Sequence, residues 1–357
     1  MPAALSSLTG PEALWPRLEP PLDVAIVGAT GAVGREMIAC LERRRFPVAV
    51  LRLFASGRSV GRVLPYRGER VVIEALSETA FAGTDLVLFA ADADISRRFA
   101  PAAVRAGAVV IDNSSAFRMD PGAPLIVPEV NGERLFEHQG LIANPNCCAA
   151  IAVMALGPLH AAAGVRRVIA ATYQAASGAG AQAMDELRDS TSAYLQGRPY
   201  RPQVLAHPYA FNLFSHDSAI DPQTGSNGEE TKIAEELRRL LDVPGLAVGV
   251  TCVRVPVLRA HSIALTVELE RPIAPEQALA VLGRAPGLRV VDDPAANRFP
   301  MPSEAAGRDE VLVGRVRMDQ SDPSGRSLAM FVVGDQLLKG AALNAVQIAE
   351  RLIAGRG

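Results

Sequence analysis

Two rhythms of apolar and polar residues divide the chain. From Leu22 onward, short apolar runs recur at Val24-Ala25-Ile26-Val27, at Val48 to Phe54 around Arg52, after Asp85 up to Phe89, and at Ala108 to Ile111. Between them the apolar residues fall three and four apart, through about Arg43 and over about residues 95–106. Strands without alternation are buried on both faces, so this succession predicts a parallel sheet covered on each side by helices. From about Cys148 to Asp335 the strands are longer and partly alternating: Val165 to Tyr173, Leu246 to Val257, His261 to Glu270, Val311 to Met318 and Leu328 to Val333. Helices are expected near 180–196 and 229–241, and Leu337 to Ile353 reads as a buried helix, apolar on most sides. An α/β domain followed by an α+β domain on a mixed, largely antiparallel sheet is the expected fold class. Residues 1–20 contain Pro2, Pro11, Pro16 and Pro20 and lack the basic start and apolar core of a signal peptide, which predicts a loosely ordered extension.

The length of 357 residues agrees with two domains. The composition, 49% hydrophobic and 21% charged, is ordinary for a globular chain. Basic and acidic side chains, 36 and 38, nearly cancel to a formal charge of −2, which gives no support for a nucleic-acid or anionic-membrane surface. No apolar run is long enough to predict a membrane-spanning helix. The four cysteines include no C-x-x-C pair, so no metal site is expected, and their number fits a reducing cytoplasm.

Gly28-Ala29-Thr30-Gly31-Ala32-Val33-Gly34 joins the first strand to the first helix. Glycines there let backbone N–H groups approach a diphosphate at a helix N-terminus, the arrangement of a Rossmann-type dinucleotide-binding domain. A tight strand–helix turn alone would use the same glycines. No acidic residue occurs between Glu42 and Glu69, where an NAD site places the carboxylate for the ribose; the second strand runs instead into Ser56-Gly57-Arg58-Ser59. Arg58 with Ser59 suits a 2′-phosphate and favours NADP, while a solvated loop cation is the plainer alternative. Cys147 follows Asn144-Pro145-Asn146 and opens an apolar helical run. A thiol at a helix start has its thiolate favoured, and the neighbouring N–H groups suit an oxyanion. Cys40, Cys148 and Cys252 read as small buried hydrophobes. A nucleophilic thiolate beside a nicotinamide site suggests aldehyde oxidation through a thioester.

Seven segments in order carry a resemblance to the aspartate-semialdehyde dehydrogenase family from about Leu22 to the C-terminus: Gly28 to Gly34, Asp112 to Arg118, Asn144 to Cys147, Gln174 to Gly180, Glu229 to Lys232, Arg254 to His261, and Lys339 to Ala342. The resemblance implies a homodimeric or homotetrameric enzyme of the cytoplasm. It would carry out NADP-dependent reductive dephosphorylation of aspartyl 4-phosphate to aspartate 4-semialdehyde, in the biosynthesis of lysine and diaminopimelate, threonine, methionine and isoleucine. Its domains would be 21–147 for NADP, completed by the helix 337–357, and 148–336 for catalysis and dimerisation. By the same resemblance Cys147 is the nucleophile, His261 the acid/base, and Gln174 orients the acyl group. Arg254 would pair with the substrate carboxylate, Glu229 with its ammonium, and Arg118 and Lys232 with phosphate. Ser177, Gly178 and Gln336 would meet the nicotinamide.

Three departures from the family pattern stand out. Cys148 and Ala149 occupy positions where Ser and Thr are common, Ala90 to Asp94 replaces a loop richer in Gly and Ser, and Gly228 stands where an acid is frequent. That last change leaves Glu229 and Glu230 both open as the substrate carboxylate, with Glu229 preferred for its spacing to Lys232. The alternatives are an N-acetyl-γ-glutamyl-phosphate reductase, for which an ammonium-binding Glu has no purpose, and a non-catalytic binding paralogue.

Overall fold

The computed structural model describes residues 18–355, which form two compact units, one of residues 18–145 with 341–355 and the other of 146–340. Most of the extension expected over 1–20 therefore lies outside the described residues.

In the first unit the chain runs β1 (Leu22–Val27), α1 (Ala32–Arg43), β2 (Val48–Ala55), β3 (Val63–Tyr66), β4 (Glu69–Ala75), β5 (Leu86–Phe89), α2 (Ala93–Arg105), β6 (Val109–Asp112), α3 (Pro128–Asn131) and β7 (Leu141–Ala143). The seven strands are ordered β3-β4-β2-β1-β5-β6-β7, and every pair is parallel except β3 with β4. β5 and β6 are buried along their whole length, the reason their sequences show no alternation. β1 lies where the strand order turns back, with β2 on one side and β5 on the other. The carboxyl ends of β1 and β5 consequently flank a crevice, the usual ligand position of an open α/β sheet.

The β3–β4 hairpin was not expected from the sequence. Its two-residue turn, Arg67 and Gly68, has φ of 50° and 80°, the left-handed pair that suits a tight hairpin. Pro65 hides the strand, and it is tolerated because β3 is the sheet edge.

The second unit contains α4 (Cys147–Ala163), β8 (Val165–Gln174), α5 (Ala181–Leu195), β9 (Phe214–Ser215), α6 (Gly228–Leu240), β10 (Ala247–Arg254), β11 (His261–Leu269), α7 (Pro275–Leu282), β12 (Leu288–Val290), α8 (Pro302–Ala305), β13 (Val311–Met318) and β14 (Ser327–Gly334). Its sheet is ordered β12-β13-β14-β11-β8-β10-β9. β8–β10 and β12–β13 are parallel and the other four pairs antiparallel, the mixture expected. One face of β8 is buried, while Ile169 and Tyr173 on the other are exposed, with the Tyr173 and Phe331 rings 6.2 Å apart.

Two domain bounds differ from the expectation. The second unit begins at Asn146 rather than at 148, because Asn146 caps α4 and α4 packs within that unit. Gly334 of β14 shows how close this packing is: a Cβ there would lie 2.9 Å from Ile151. The C-terminal helix also starts differently. A wide π turn, Leu338–Ala342, precedes the regular helix Leu343–Ala354, and residues 337–340 stay with the second unit. The helix proper belongs to the first unit, held by Arg44 to Glu350 at 2.7 Å and by Asn344 Nδ2 donating to Asn144 Oδ1 at 2.7 Å.

Candidate active site

In the first unit the glycine loop sits at the carboxyl end of β1. Gly28 has a φ of 86°, and a Cβ on it would lie 2.3 Å from the Ala90 carbonyl oxygen. Gly34, inside α1, passes equally close to the Gly28 carbonyl, so only glycine lets helix and strand approach this way. Thr30 and Gly31 line a cavity of about 580 Å³ that also touches Ser56, Gly57 and Asp92. Gly31 caps α1 without a side-chain hydrogen bond, and Ala32 and Val33 form its first turn. The first-turn N–H groups are thus left for an anion, and the loop fits a dinucleotide diphosphate. At the end of β2, Arg58 is exposed on a short 3-10 turn, Gly57–Ser59, whereas Ser59 is buried. Arg118, also in this unit, donates to the backbone carbonyls of Asn113 and Asn144 at 2.7 and 3.0 Å.

In the second unit the strand register explains how distant residues meet. Gln174 ends β8, Arg254 ends β10 directly opposite it, and His261 begins β11 on the other side of β8. Three adjacent strands therefore deliver Gln174, Arg254 and His261 to one end of the sheet. Asn146 brings α4 to the same group. Its Oδ1 accepts from the amides of Cys148 at 2.8 Å and Ala149 at 3.3 Å, while its Nδ2 donates to Glu229 Oε1 at 2.8 Å. This corrects one expectation: two first-turn amides are occupied by the cap. Among the described residues, the amide of Cys147 itself makes no hydrogen bond and remains for an oxyanion.

Cys147, Cys148 and His261 place their Sγ and ring nitrogen atoms within 4.8 Å of one another. The His261 ring is fully buried, and its Nδ1 accepts from the Ala175 amide at 3.0 Å. A neutral ring so held carries its proton on Nε2. That Nε2 has no hydrogen-bond partner in the structure and faces the sulfurs as an N–H rather than as a lone pair. A hydrogen bond from the Cys148 thiol lowers the Cys147 pKa well below the ordinary thiol value against the opposing effect of burial, with His261 assisting. Burial pushes Cys148 in the other direction, so it stays a thiol. Burial likewise raises Cys252 to about 12. Gly178 lies over this group: a Cβ there would be 2.9 Å from His261 Nε2 and 3.5 Å from Arg254 Nη1. The space its hydrogen leaves opens onto the histidine proton and one edge of the guanidinium.

Glu229 and Glu230 have separate tasks. Both Glu230 oxygens are occupied by backbone amides, those of Asn227 in a capping box at 2.9 Å and of Cys252 at 3.0 Å. Glu229 is buried and accepts from Asn146 and from Gln174 Nε2, the latter at 3.1 Å, with Lys232 Nζ 4.0 Å away. Burial works against the Glu229 charge, but the hydrogen bonds from Asn146 and Gln174 and the nearby Lys232 ammonium hold the carboxyl below its usual value. Lys232 is half exposed one turn along the same face. Gln336 donates to Ser177 Oγ and accepts from the Ala260 amide at 3.0 Å, which holds the left-handed Ala260 (φ 76°) just before His261.

Arg254 was expected at the site; its burial and the residues that hold it were not. Asp217 Oδ1 accepts from Nη2 at 3.2 Å and Nε at 3.4 Å, and His216 Nε2 lies 2.9 Å from Nη2. Among the described residues Nη1 makes no hydrogen bond. His216 lies in none of the seven segments that carry the family resemblance, nor do His138, His160 and His207. His138 and His160 do accept local amides, from Gly140 and Val165, and His207 packs edge-on to Phe214. No motif in the sequence sets His216 apart, and only the pairing of β9 with β10 brings it to Arg254.

The chain matches two family descriptions, "Semialdehyde dehydrogenase, NAD binding domain" over residues 23–138 and "Semialdehyde dehydrogenase, dimerisation domain" over 156–339. It is 48% identical over 333 residues to an aspartate-semialdehyde dehydrogenase of Synechocystis, covering 93% of this chain and 98% of the relative. A relative of the same name from Aquifex aeolicus is 47% identical, with 92% and 97% covered. Among solved structures, aspartate semialdehyde dehydrogenase II of Vibrio cholerae, in complex with ASA, superimposes with a TM-score of 0.90. It is 40% identical, over 94% of this chain and 99% of that one.

Proposed function

From the premise that this chain belongs to the aspartate-semialdehyde dehydrogenase family, we propose how its own side chains carry out the reaction. It is an oxidoreductase of amino-acid biosynthesis with an NAD(P)-binding domain, and it interconverts aspartyl 4-phosphate and aspartate 4-semialdehyde. The observation that carries the mechanism is the buried, unpartnered Nε2 of His261 beside the Cys147 thiol, whose pKa is lowered. The Cys147 thiolate adds to the aldehyde carbon, and the new oxyanion is held by the Cys147 amide. As the acid/base partner of the site, His261 presents its Nε2–H to that oxygen and donates a hydrogen bond that takes up the developing charge. When bound, the dinucleotide accepts or supplies the hydride. Phosphate then attacks the thioester carbon, and Cys147 leaves as thiolate. Gln174 orients the acyl group, Arg254 binds the α-carboxylate through its open Nη1 edge, and Glu229 receives the ammonium. Arg118 and Lys232 are assigned to phosphate, and Ser177, Gly178 and Gln336 to the nicotinamide end. The setting is the cytoplasm, in keeping with four free cysteines.

A buried carboxylate held in its charged form favours a free ammonium over an acetylated amine. The test is phosphate-dependent dinucleotide reduction with aspartate semialdehyde beside N-acetylglutamate semialdehyde. Only the first should turn over, and faster reaction of the second would refute the substrate assignment.

NADP is the proposed cofactor, because Arg58 and Ser59 follow β2 in place of an acid. Arg58→Ala should weaken NADP by about 1.5–3 kcal/mol, the scale of a hydrogen bond to a charged group, and leave NAD nearly unchanged. Equal losses for both, measured by fluorescence titration, would remove Arg58 from the 2′-phosphate.

The dimerisation domain supports an oligomer, proposed as a homodimer or homotetramer with the open sheet face of Ile169, Tyr173 and Phe331 in the interface. Tyr173→Glu combined with Phe331→Glu should shift the mass in sedimentation toward the 37.7 kDa protomer. An unchanged assembly would place the interface elsewhere.

A further inference from the structure

His216 occupies a position that the mechanism above does not use. It follows β9, with its amide bonded to the Cys252 carbonyl at 2.9 Å, and its side chain is nearly buried. Its Nε2 makes the shortest contact to the Arg254 guanidinium, 2.9 Å to Nη2. Its Nδ1 lies 3.1 Å from Ser218 Oγ and 3.2 Å from the Ser218 amide.

Arginine can only donate, so Nε2 must offer a lone pair to it. The ring proton of neutral His216 then sits on Nδ1, where the Ser218 hydroxyl oxygen accepts it. The Ser218 amide also donates toward Nδ1, at 3.2 Å, and this longer contact yields to the 2.9 Å contact of the guanidinium on Nε2 in the choice of tautomer. Ser218 Oγ in turn donates to Asn227 Oδ1 at 3.3 Å and accepts from the Glu229 amide at 3.1 Å. Asn227 is the cap of α6, the helix that starts with Glu229 in its first turn. The chain Arg254–His216–Ser218–Asn227 thus links the guanidinium to the element carrying the buried carboxylate. It immobilises Nη2 and leaves Nη1 facing the space beside Gly178.

We propose that neutral His216 is a positioning residue that orients Arg254 for the substrate's α-carboxylate and sets its distance from the ammonium site of Glu229. This role depends on Arg254 binding that carboxylate, as proposed above. Asp217 alone does not fix the orientation, because a single oxygen takes Nε and Nη2 at 3.4 and 3.2 Å and leaves the plane of the fork free to tilt.

The role carries a pH signature. The charged groups facing His216 are Arg254 from β10, Asp217 beside it, Glu229 from α6 and Cys147 from α4; Tyr209 stands near Arg254 and Asp217. Burial and Arg254 keep the His216 pKa below its ordinary value, against the carboxylates. The ring is therefore neutral at neutral pH. As pH falls through that pKa, Nε2 gains a proton and two donors, both cationic, oppose each other. Semialdehyde recognition should then weaken on the acid side.

Initial rates would be measured across pH for the parent, His216→Ala, His216→Gln and Arg254→Lys, with semialdehyde, phosphate and NADP varied separately. His216→Ala should raise the semialdehyde KM roughly ten- to hundredfold, the scale of one charge-assisted hydrogen bond, while the phosphate and NADP constants stay within about twofold. His216→Gln puts a neutral acceptor near the Nε2 position, so it should rescue most of the loss and flatten the acid-side fall in semialdehyde affinity. Alkylation of Cys147 against pH should match the parent in the Gln variant, separating this effect from thiol titration.

A semialdehyde KM unmoved by His216→Ala, while Arg254→Lys raises it, would overturn the positioning role and spare the carboxylate assignment. If Arg254→Lys also leaves it unmoved, the assignment of Arg254 falls and the proposal with it. Failure of the Gln variant to rescue, in a protein whose melting temperature matches the parent, would show that His216 acts by packing and refute the acceptor role.

Discussion

Replacing Cys147 with alanine should abolish turnover, by about 10⁴-fold or more, the scale on which losing a nucleophile is felt in covalent catalysis. The thiol stands at the start of α4, its anionic form favoured by the Cys148 thiol and by His261, and its own amide is free for the oxyanion. No neighbour can replace it. Cys148 is fully buried and held as a thiol, and Cys252 is buried on β10. Folding should be unaffected, since alanine is a good helix former, and NADP binding should persist. Cys148→Ala makes the contrast: removing one hydrogen bond to a thiolate should slow the enzyme about tenfold and move the alkylation profile of Cys147 to higher pH. Stopped-flow and steady-state assays of both variants decide the matter. Parent-like turnover in the Cys147 variant would end the thioester mechanism.

Gly178→Ala should lower kcat by about 10²- to 10⁴-fold, the contribution usual for a positioned acid/base. The added methyl would lie 2.8 Å from His261 Cε1 and 2.9 Å from Nε2, closer than real contacts permit. The ring cannot retreat without losing the Ala175 amide on Nδ1, and the loop is pinned by the Ser177 and Ala176 amides on Leu258 and Val257 carbonyls at 3.0 and 2.8 Å. Either the histidine turns away from the sulfur or the loop lifts, and both remove the proton from the reacting oxygen. The dihedral at Gly178 is not left-handed, so backbone strain would not explain a loss. Iodoacetamide should still label Cys147. A variant with nearly parental kcat would mean that the proton comes from another group.

Features written in neighbouring residues could be read directly from the chain. The parallel sheet was legible because β5 and the first three residues of β6 are apolar without a break, and the dinucleotide loop because glycines stand where strand becomes helix. Cys147 could be picked out because an Asn-Pro-Asn turn followed by an apolar run marks a helix start. Where local signals conflict, the reading failed: Pro65 concealed β3, and the hairpin was seen only through its left-handed Arg67-Gly68 turn. Helix α7 went unnoticed although Pro275 stands at its first turn.

The resemblance supplied the site's residue list, but not the relations among its members. The amide of Cys252, a β10 residue, occupies Glu230 and so supports Glu229 as the proposed ammonium partner. Which nitrogen of His261 carries the proton depends on the Ala175 amide, 86 positions away. The task of His216 exists only because β9 pairs with β10 and lays it on Arg254. Periodicity, caps and turns follow from forces acting within a few residues, and so the sequence determines them by itself. Tautomers, hydrogen-bond partners and the burial of single charges depend on which strands become neighbours, and that is decided only when the sheet closes.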